Sequence, residues 1–397
     1  MEIDVERQQK ARDYARTSRR LSYISLGIGV ILILIVLAAR IDVWLRDVIQ
    51  SASSWLPLLS WQPRGGWFPW QVVAYCLIAF LFYEILTFPL SYYSSYTLPH
   101  RYGISIMSKT AWFRERGIGL LLNLVLEIVF VSLLYILLAL QPQLWWLWLA
   151  VIILFFSVLM ANLAPILLYP IFYKFTPLPE GELTQRLLAL VAKANTRVRG
   201  IYTMHMSRKT TATNAALMGL GNTRRIVLGD TMTDNFTLDE IEVVLAHELG
   251  HHVHRDIWKL IVTQTVLMLV GLFIGSLVLN WVVEQHFYRA LTDPATLPFF
   301  LVLIGIFSLL VMPLSNGITR IIEYQADEYA LQATGKIEDF KSAMRRLANQ
   351  NLAEVEPAPI IEFLFYSHPS INKRLQHADA FASHINHQAS ASLSAES

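Results

Sequence analysis

The chain has 397 residues, of which 54% are hydrophobic and only 16% charged, and its 32 basic against 30 acidic residues leave a net charge of +2. Soluble domains carry about a quarter charged residues, so this composition places much of the chain in lipid, and so small a charge excludes a nucleic-acid binder, which needs a basic excess. The single cysteine, Cys76, lies in an apolar run, which excludes an intrachain disulfide and a thiolate cluster for a structural metal.

Taken in chain order, residues 1–20 are basic, with Arg7, Lys10, Arg12, Arg16, Arg19 and Arg20, and are expected on the cytoplasmic side. A four-span membrane region follows over 21–173, with apolar runs at 21–39, 68–93, 117–140 and 144–173, each long enough to cross about 30 Å of hydrocarbon as a helix. The first run ends at Ala39-Arg40-Ile41 without a small-x-small cleavage site, so it reads as a retained span. Two more spans, 257–283 and 296–318, make up 257–318. Alternation then puts 94–116, 174–256 and 319–397 on the cytoplasmic side, and Arg101, Lys109, Arg114 and Arg116 in the first of these agree. The opposite-side segments, 40–67, 141–143 and 284–295, carry fewer basic residues.

The polar segment 174–256 breaks the membrane pattern. It predicts a helix from about Leu183 to Ala194, β-strands around Ile201–Met206 and Arg225–Leu228, and a third strand or sheet edge in "KTTATNAALMGLGN" between them. Residues 319–380 read as helices, and the Ser/Ala-rich tail 381–397 as disordered. The expected fold is a mainly α-helical multi-pass membrane protein of about six transmembrane helices, with a small mixed sheet and its helices at the cytoplasmic mouth. Within the spans, Glu84, Asn123, Glu127 and Asn162 are costly facing lipid and should face the bundle interior.

In "FTLDEIEVVLAHELGHHVHRD", Thr237 followed by Glu240 is a capping-box start, and apolar positions 241, 244, 245 and 249 continue a helix. His247 and His251, four apart, project from one face and can share a metal ion; Glu248 lies between them. This HExxH layout suits Zn²⁺, with two imidazole ligands and an adjacent carboxylate as general base. His252 points about 100° away from His251, and His254 is about 10 Å of rise beyond His247, so neither joins the same ion. Gly250 is read as permitting close approach of another backbone or of substrate, and the helix is expected to run on into the fifth span.

A catalytic zinc needs a third protein ligand and one open position. Glu323, in "RIIEYQADEYALQATG" at the cytoplasmic end of the sixth span, is the candidate, on the side that the basic residues independently give to His247 and His251. Asp327, four residues on, is expected to orient His247 or His251 through the distal ring N–H, whereas Glu328 reads as a surface charge.

With these residues in hand, the chain resembles the integral-membrane gluzincin family that includes the type-I CAAX prenyl endopeptidases and, more distantly, the HtpX heat-shock proteases. The resemblance is carried by "YPIFYKFTPLPEG", "NAALMG", "RRIVLGDT", "HELGH", "RIIEYQAD" and "SHPSINKRL", in that order over about 68–377. It implies a gluzincin-type α+β catalytic unit, one Zn²⁺ on His247, His251 and Glu323, and Glu248 as base. It further implies that Asn214, Ala215 and Ala216 lie on an edge strand that pairs with substrate backbone. His368 and Arg374 would steady the oxyanion or substrate carbonyl, and a water-filled intramembrane chamber is implied as well. Eukaryotic members have seven spans and Trp after the second zinc histidine; six spans and His252 here suggest a prokaryotic member of the bacterial inner membrane. Its partners are then the lipid bilayer and a peptide or protein substrate, lipid-modified or membrane-associated. Two other readings stay open: an HtpX-like quality-control protease, and a non-catalytic membrane scaffold or transporter with a structural zinc, against which an intact Glu248 counts.

Overall fold

The computed structural model describes residues 2–56, 69–219 and 221–395. In chain order its helices begin with α1 (Val5–Ala38), α2 (Ile41–Ala52) and α3 (Trp70–Tyr92), which runs through a π-turn at Tyr93–Thr97 into α4 (Leu98–Arg101). Then come α5 (Lys109–Leu140), α6 (Trp145–Leu167), α7 (Tyr169–Phe172), strand β1 (Lys174–Pro177) and α8 (Glu182–Lys193). Strands β2 (Ile201–His205), β3 (Ala215–Met218) and β4 (Arg225–Gly229) lead to α9 (Asp230–Thr233) and the HELGH helix α10 (Leu238–Val253). The chain ends with α11 (Asp256–Glu284), α12 (Thr296–Thr334), α13 (Ile337–Gln350), α14 (Pro359–Phe365) and α15 (Ile371–Ala395).

Among the described residues six helical runs are long and apolar enough to cross a membrane: Val5–Ala38, Trp70–Arg101, Lys109–Leu140, Trp145–Phe172, Asp256–Glu284 and Thr296–Thr334. Each coincides with one of the six expected spans, though residue 68, the expected start of the second, and most of the far end of 40–67 lie outside the described residues. Large apolar side chains such as Leu34, Phe155 and Leu310 point outward from these runs. Lipid offers backbone groups no hydrogen-bond partner, so a spanning segment must satisfy them internally as helix. Inside the bundle Tyr75, Tyr135, Trp145, Leu279 and Phe300 pack together. Of the polar residues in the spans, Glu84 is paired with Arg116 at 2.5 Å, and Asn162 Oδ1 accepts from the Thr223 hydroxyl at 3.2 Å.

The soluble unit is a four-stranded mixed sheet in the order β1-β2-β4-β3, with β2 and β4 parallel and both outer pairs antiparallel. The strand expected between the two predicted ones is β3, at the sheet edge; β1 was not foreseen. Leu187 and Leu190 of α8, Ile226 and Leu228 of β4, Ile241, Leu245 and Leu249 of α10, and Phe340 and Met344 of α13 close one core around this sheet. α10 therefore lies between the sheet and α12, buried on both sides.

Two local features differ from the expected course, and the N-terminal segment adds a contact the sequence did not suggest. α10 does not run on into the fifth span: Arg255 adopts a left-handed conformation (φ 57°), and α11 starts afresh at Asp256. The basic N-terminal segment docks on the segment after α13: Gln8 Nε2 donates to the Ala353 carbonyl at 3.2 Å, and Arg19 pairs with Glu354 at 2.7 Å. The tail expected to be disordered from residue 381 continues as helix to Ala395, and residues 396–397 lie outside the described residues.

Candidate active site

The capping box opens α10 as the spacing predicts: Thr237 Oγ1 accepts from the Glu240 N–H at 3.2 Å and Glu240 Oε2 accepts from the Thr237 N–H at 2.9 Å. Both orphan donors at the helix start are thus satisfied reciprocally. Three turns on, His247 and His251 share a face with ring centroids 4.8 Å apart, and Glu323 of α12 sits opposite them. His247 Nε2 lies 3.4 Å from Glu323 Oε2 and His251 Nε2 lies 3.5 Å from Glu323 Oε1. The close helix approach that allows this is made at Gly250, where a Cβ would stand 3.0 Å from Ala326 Cα and 3.2 Å from its carbonyl. Of the two alternatives for Gly250, another backbone or substrate, the structure has the backbone.

The outer ring nitrogens are fixed by carboxylates. His247 Nδ1 lies 2.9 Å from Asp327 Oδ1, the role expected of that residue. Asp327 is fully buried and held in turn by Arg374, whose Nε donates to Oδ2 at 2.8 Å while Nη2 donates to Oδ1. His251 Nδ1 lies 3.0 Å from Asp256 Oδ2, and Lys259 Nζ donates to the other oxygen of Asp256 at 2.8 Å. Each imidazole therefore has its Nδ1 occupied by a carboxylate–cation pair and its Nε2 turned toward Glu323, the tautomer that metal ligation requires. Asp256 was missed in the sequence. The signal was there: a second ligand histidine needs an acceptor for its other nitrogen, and the left-handed Arg255 brings this acidic residue back beneath His251.

The residues fit a metal on geometry of their own. Glu323 Oε2 is buried and has no hydrogen-bond partner among the described residues. Two ligands of a tetrahedral zinc, each at about 2.0–2.1 Å, lie about 3.3–3.4 Å apart, close to the 3.4 and 3.5 Å separations seen here. His247, His251 and Glu323 are the one group among the described residues able to hold a metal. His252 and His254 stand outside it, the latter against the Tyr329 ring, and Glu328 pairs with His377 at 3.1 Å. Without an ion, burial opposes protonation of His247, but the neighbouring carboxylates of Asp327 and Glu323 outweigh it and raise its pKa to about 9.

Glu248 follows His247 and is partly buried, with no part in the histidine–carboxylate pairs. His368 reaches the site from the loop between α14 and α15: its Nε2 is 3.3 Å from Glu323 Oε1 and its side chain is 61% exposed, on the open side. Arg320 positions that loop by donating to the carbonyls of Glu362 and Tyr366 at 3.1 and 2.6 Å, closing the carbonyl end of α14. Arg374 does not share the open side. Its guanidinium is buried and bonded to Asp327, with Nη2 3.3 Å from His247 Nδ1, because a buried carboxylate needs a buried cation. Asn214, Ala215 and Ala216 lie at β3, the edge of the sheet, which packs against α10; the Asn214 carbonyl accepts from Gly229 N–H at 2.8 Å.

The profile described as Peptidase family M48 matches residues 177–382, which hold every residue of this site, and that described as CAAX prenyl protease N-terminal, five membrane helices, matches residues 1–174. A CAAX prenyl protease 1 homolog of Arabidopsis thaliana is 31% identical over 317 residues, covering 75% of this chain and 70% of that protein. The uncharacterized metalloprotease YhfN of Bacillus subtilis is 26% identical over 390 residues, 95% of this chain and 87% of that one. The crystal structure of S. mikatae Ste24p superposes with a TM-score of 0.79 at 22% identity, over 95% of this chain and 89% of that one. Six long apolar helices and a soluble unit built on the HELGH helix thus meet a peptidase profile over the whole catalytic unit: the chain is a multi-pass membrane metalloendopeptidase and belongs to peptidase family M48, in its CAAX prenyl protease branch.

Proposed function

We propose that this enzyme uses one Zn²⁺ on His247, His251 and Glu323 to hydrolyse peptide bonds near the lipid-modified or membrane-anchored end of a protein, at the cytoplasmic face of a bacterial inner membrane. The observation that carries the metal assignment is the pair of 3.4 and 3.5 Å separations between the two Nε2 atoms and Glu323. Bound there, Zn²⁺ supplies a Lewis acid that polarises the scissile carbonyl and acidifies water. Asp327 and Asp256 keep both Nε2 lone pairs aimed inward. Glu248 takes the proton from the attacking water and returns it to the leaving amine. His368, exposed beside Glu323, donates to the developing oxyanion, whereas Arg374 acts through Asp327 on the orientation of His247. The outer edge of β3 receives the substrate as an added strand.

A cytoplasmic site is supported by contact as well as charge. The basic N-terminal segment touches the catalytic unit through Gln8–Ala353 and Arg19–Glu354, so both lie at one end of the bundle, and basic flanks stay in the cytoplasm. A lipid-modified substrate is favoured by the CAAX prenyl protease relatives, two of which are 27% identical over 95% of this chain.

The test compares wild-type and Glu248→Gln protein, purified in detergent, for zinc by mass spectrometry and for cleavage of a farnesylated CAAX peptide and of an unfolded membrane protein. The expected result is one zinc in both and turnover of the farnesylated peptide by wild type alone. Full turnover by zinc-loaded Glu248→Gln would overturn the mechanism. Turnover of the unfolded protein only would give the substrate assignment to quality control, and zinc without turnover would leave a structural site.

A further inference from the structure

Strand β3 is bonded to β4 on one side and, among the described residues, has no strand on the other. Its pairing decides which backbone groups face outward. Gly229 N–H donates to the Asn214 carbonyl at 2.8 Å, so Asn214 and Gly229 face each other as a hydrogen-bonded pair. Such pairs alternate with non-bonded ones along an antiparallel ladder. Ala216, opposite Val227, therefore also faces β4, while Ala215, opposite Leu228, and Leu217, opposite Ile226, turn N–H and C=O to the free edge.

Thr213 continues the outward series two residues before Ala215, but its outward groups are taken. Thr213 N–H donates to Asn351 Oδ1 at 2.8 Å, and Asn351 Nδ2 donates to the Thr213 carbonyl at 3.1 Å. The carboxamide makes the two bonds that one residue of a neighbouring strand would make. It is firmly held: Asn351 ends α13, its own N–H bonded to the Leu347 carbonyl. The two residues before it extend the same grip. Gln350 Nε2 donates to the carbonyls of Thr211 and Thr231 at 3.1 and 3.3 Å. Asn349 Oδ1 accepts from Asp4 N–H at 3.3 Å and its Nδ2 donates to the Glu2 carbonyl at 3.2 Å. Three consecutive carboxamides thus tie the N-terminal segment to the start of the edge strand, and nothing in the chemistry of hydrolysis uses them.

We propose that Asn351 is a positioning residue that closes the substrate edge: an incoming peptide pairs at Ala215 and Leu217 and is stopped before Thr213, which sets the peptide bond presented to Glu248 and the metal group. The inference rests on β3 being the substrate edge. Side-chain faces alternate along a strand, so a slipped peptide keeps its buried face only by moving two residues. Removing the stop frees the Thr213 N–H and C=O and admits one further pairing step.

The experiment uses the full chain in detergent, zinc-loaded, with casein as an unfolded probe, product mapping by mass spectrometry and initial-rate kinetics on one isolated casein peptide. Asn351→Ala is expected to add cuts displaced by two residues from wild-type ones. It should also lower KM about three- to tenfold, because the freed Thr213 groups offer the substrate one or two further hydrogen bonds, with zinc content kept and kcat changed less than KM. Asn351→Asp keeps the acceptor for Thr213 N–H and loses only the donor, so it should restore part of the wild-type map; it also carries the test if the alanine variant does not fold. A folded, zinc-loaded variant with the wild-type map and KM overturns the proposal. Leu217→Pro, which deletes an outward N–H on an edge position that tolerates proline, separates the two readings. If it cleaves casein as wild type does, β3 is not the substrate edge. If it loses cleavage while Asn351→Ala matches wild type, only the role of Asn351 fails.

Discussion

Replacing Gly250 by alanine should weaken the metal site without touching a ligand. The new Cβ would stand 3.0 Å from Ala326 Cα and 3.2 Å from both the Ala326 carbonyl oxygen and Tyr329 Cβ. Ordinary carbon contacts are about 3.5–4.0 Å, and backbone atoms cannot rotate aside, so α10 and α12 must part by about 0.5 Å. Glu323 lies one turn before Ala326 on α12 and moves with it, whereas His247 and His251 stay on α10. A metal site tolerates errors of about 0.2 Å in its ligand distances. Overpacking costs about 1–3 kcal/mol, and alanine returns about 1 kcal/mol through helix propensity, so overall stability is a poor readout. Metal affinity has no such offset and should fall about ten- to a hundredfold, as when a ligand's support is lost. Competition against a chelating dye measures it, with Gly305→Ala as control: that glycine is on α12, the helix that carries Glu323, and a Cβ there meets nothing within 4 Å. Wild-type zinc affinity in Gly250→Ala would refute the argument that helix spacing sets the site.

Asp256→Asn should weaken zinc binding by a similar factor of about ten to a hundred, because His251 loses its carboxylate acceptor; unchanged affinity in the same dye assay would show that Asp256 merely packs there. Arg374→Ala should cost about 3–5 kcal/mol of stability by leaving Asp327 buried without its cation, read as a lower denaturation midpoint, whereas a direct oxyanion role would lower kcat at unchanged stability. In the metal-free protein the raised pKa of His247, about 9 against an ordinary 6.5, contributes stability fully present below about 6.5 and lost as pH rises through about 9. Melting temperature after chelation should fall across that window, and zinc uptake at neutral pH should release a proton; a flat profile with no proton release would contradict the His247–Asp327 pairing.

The spans and the metal group were legible because each has a local signature: a long apolar run, or two histidines one helical turn apart beside a capping box. Glu323 was legible for a different reason, since membrane alternation placed a distant carboxylate on the same side as the histidines. What escaped was set by tertiary context. Strand β1 is four residues ending in Pro177, too short for an alternation to register. The break at Arg255 is a non-glycine residue at positive φ, for which the sequence offers no turn residue. Arg374 was expected in the cleft, yet a buried Asp327 claims it, and no spacing rule links residues 47 apart. The docking of Asp4 and Gln8 on Asn349 and Ala353 joins positions 345 apart and carries no local pattern at all.

The two spans between His251 and Glu323 have a consequence for biosynthesis. During translation the HELGH helix leaves the ribosome before Glu323 has been made, and Glu323 can reach it only after α11 and α12 have formed. The nascent soluble segment therefore holds His247, Glu248 and His251 but lacks Glu323. On the proposed metal assignment, the site is completed only when membrane insertion brings Glu323 back to the two histidines.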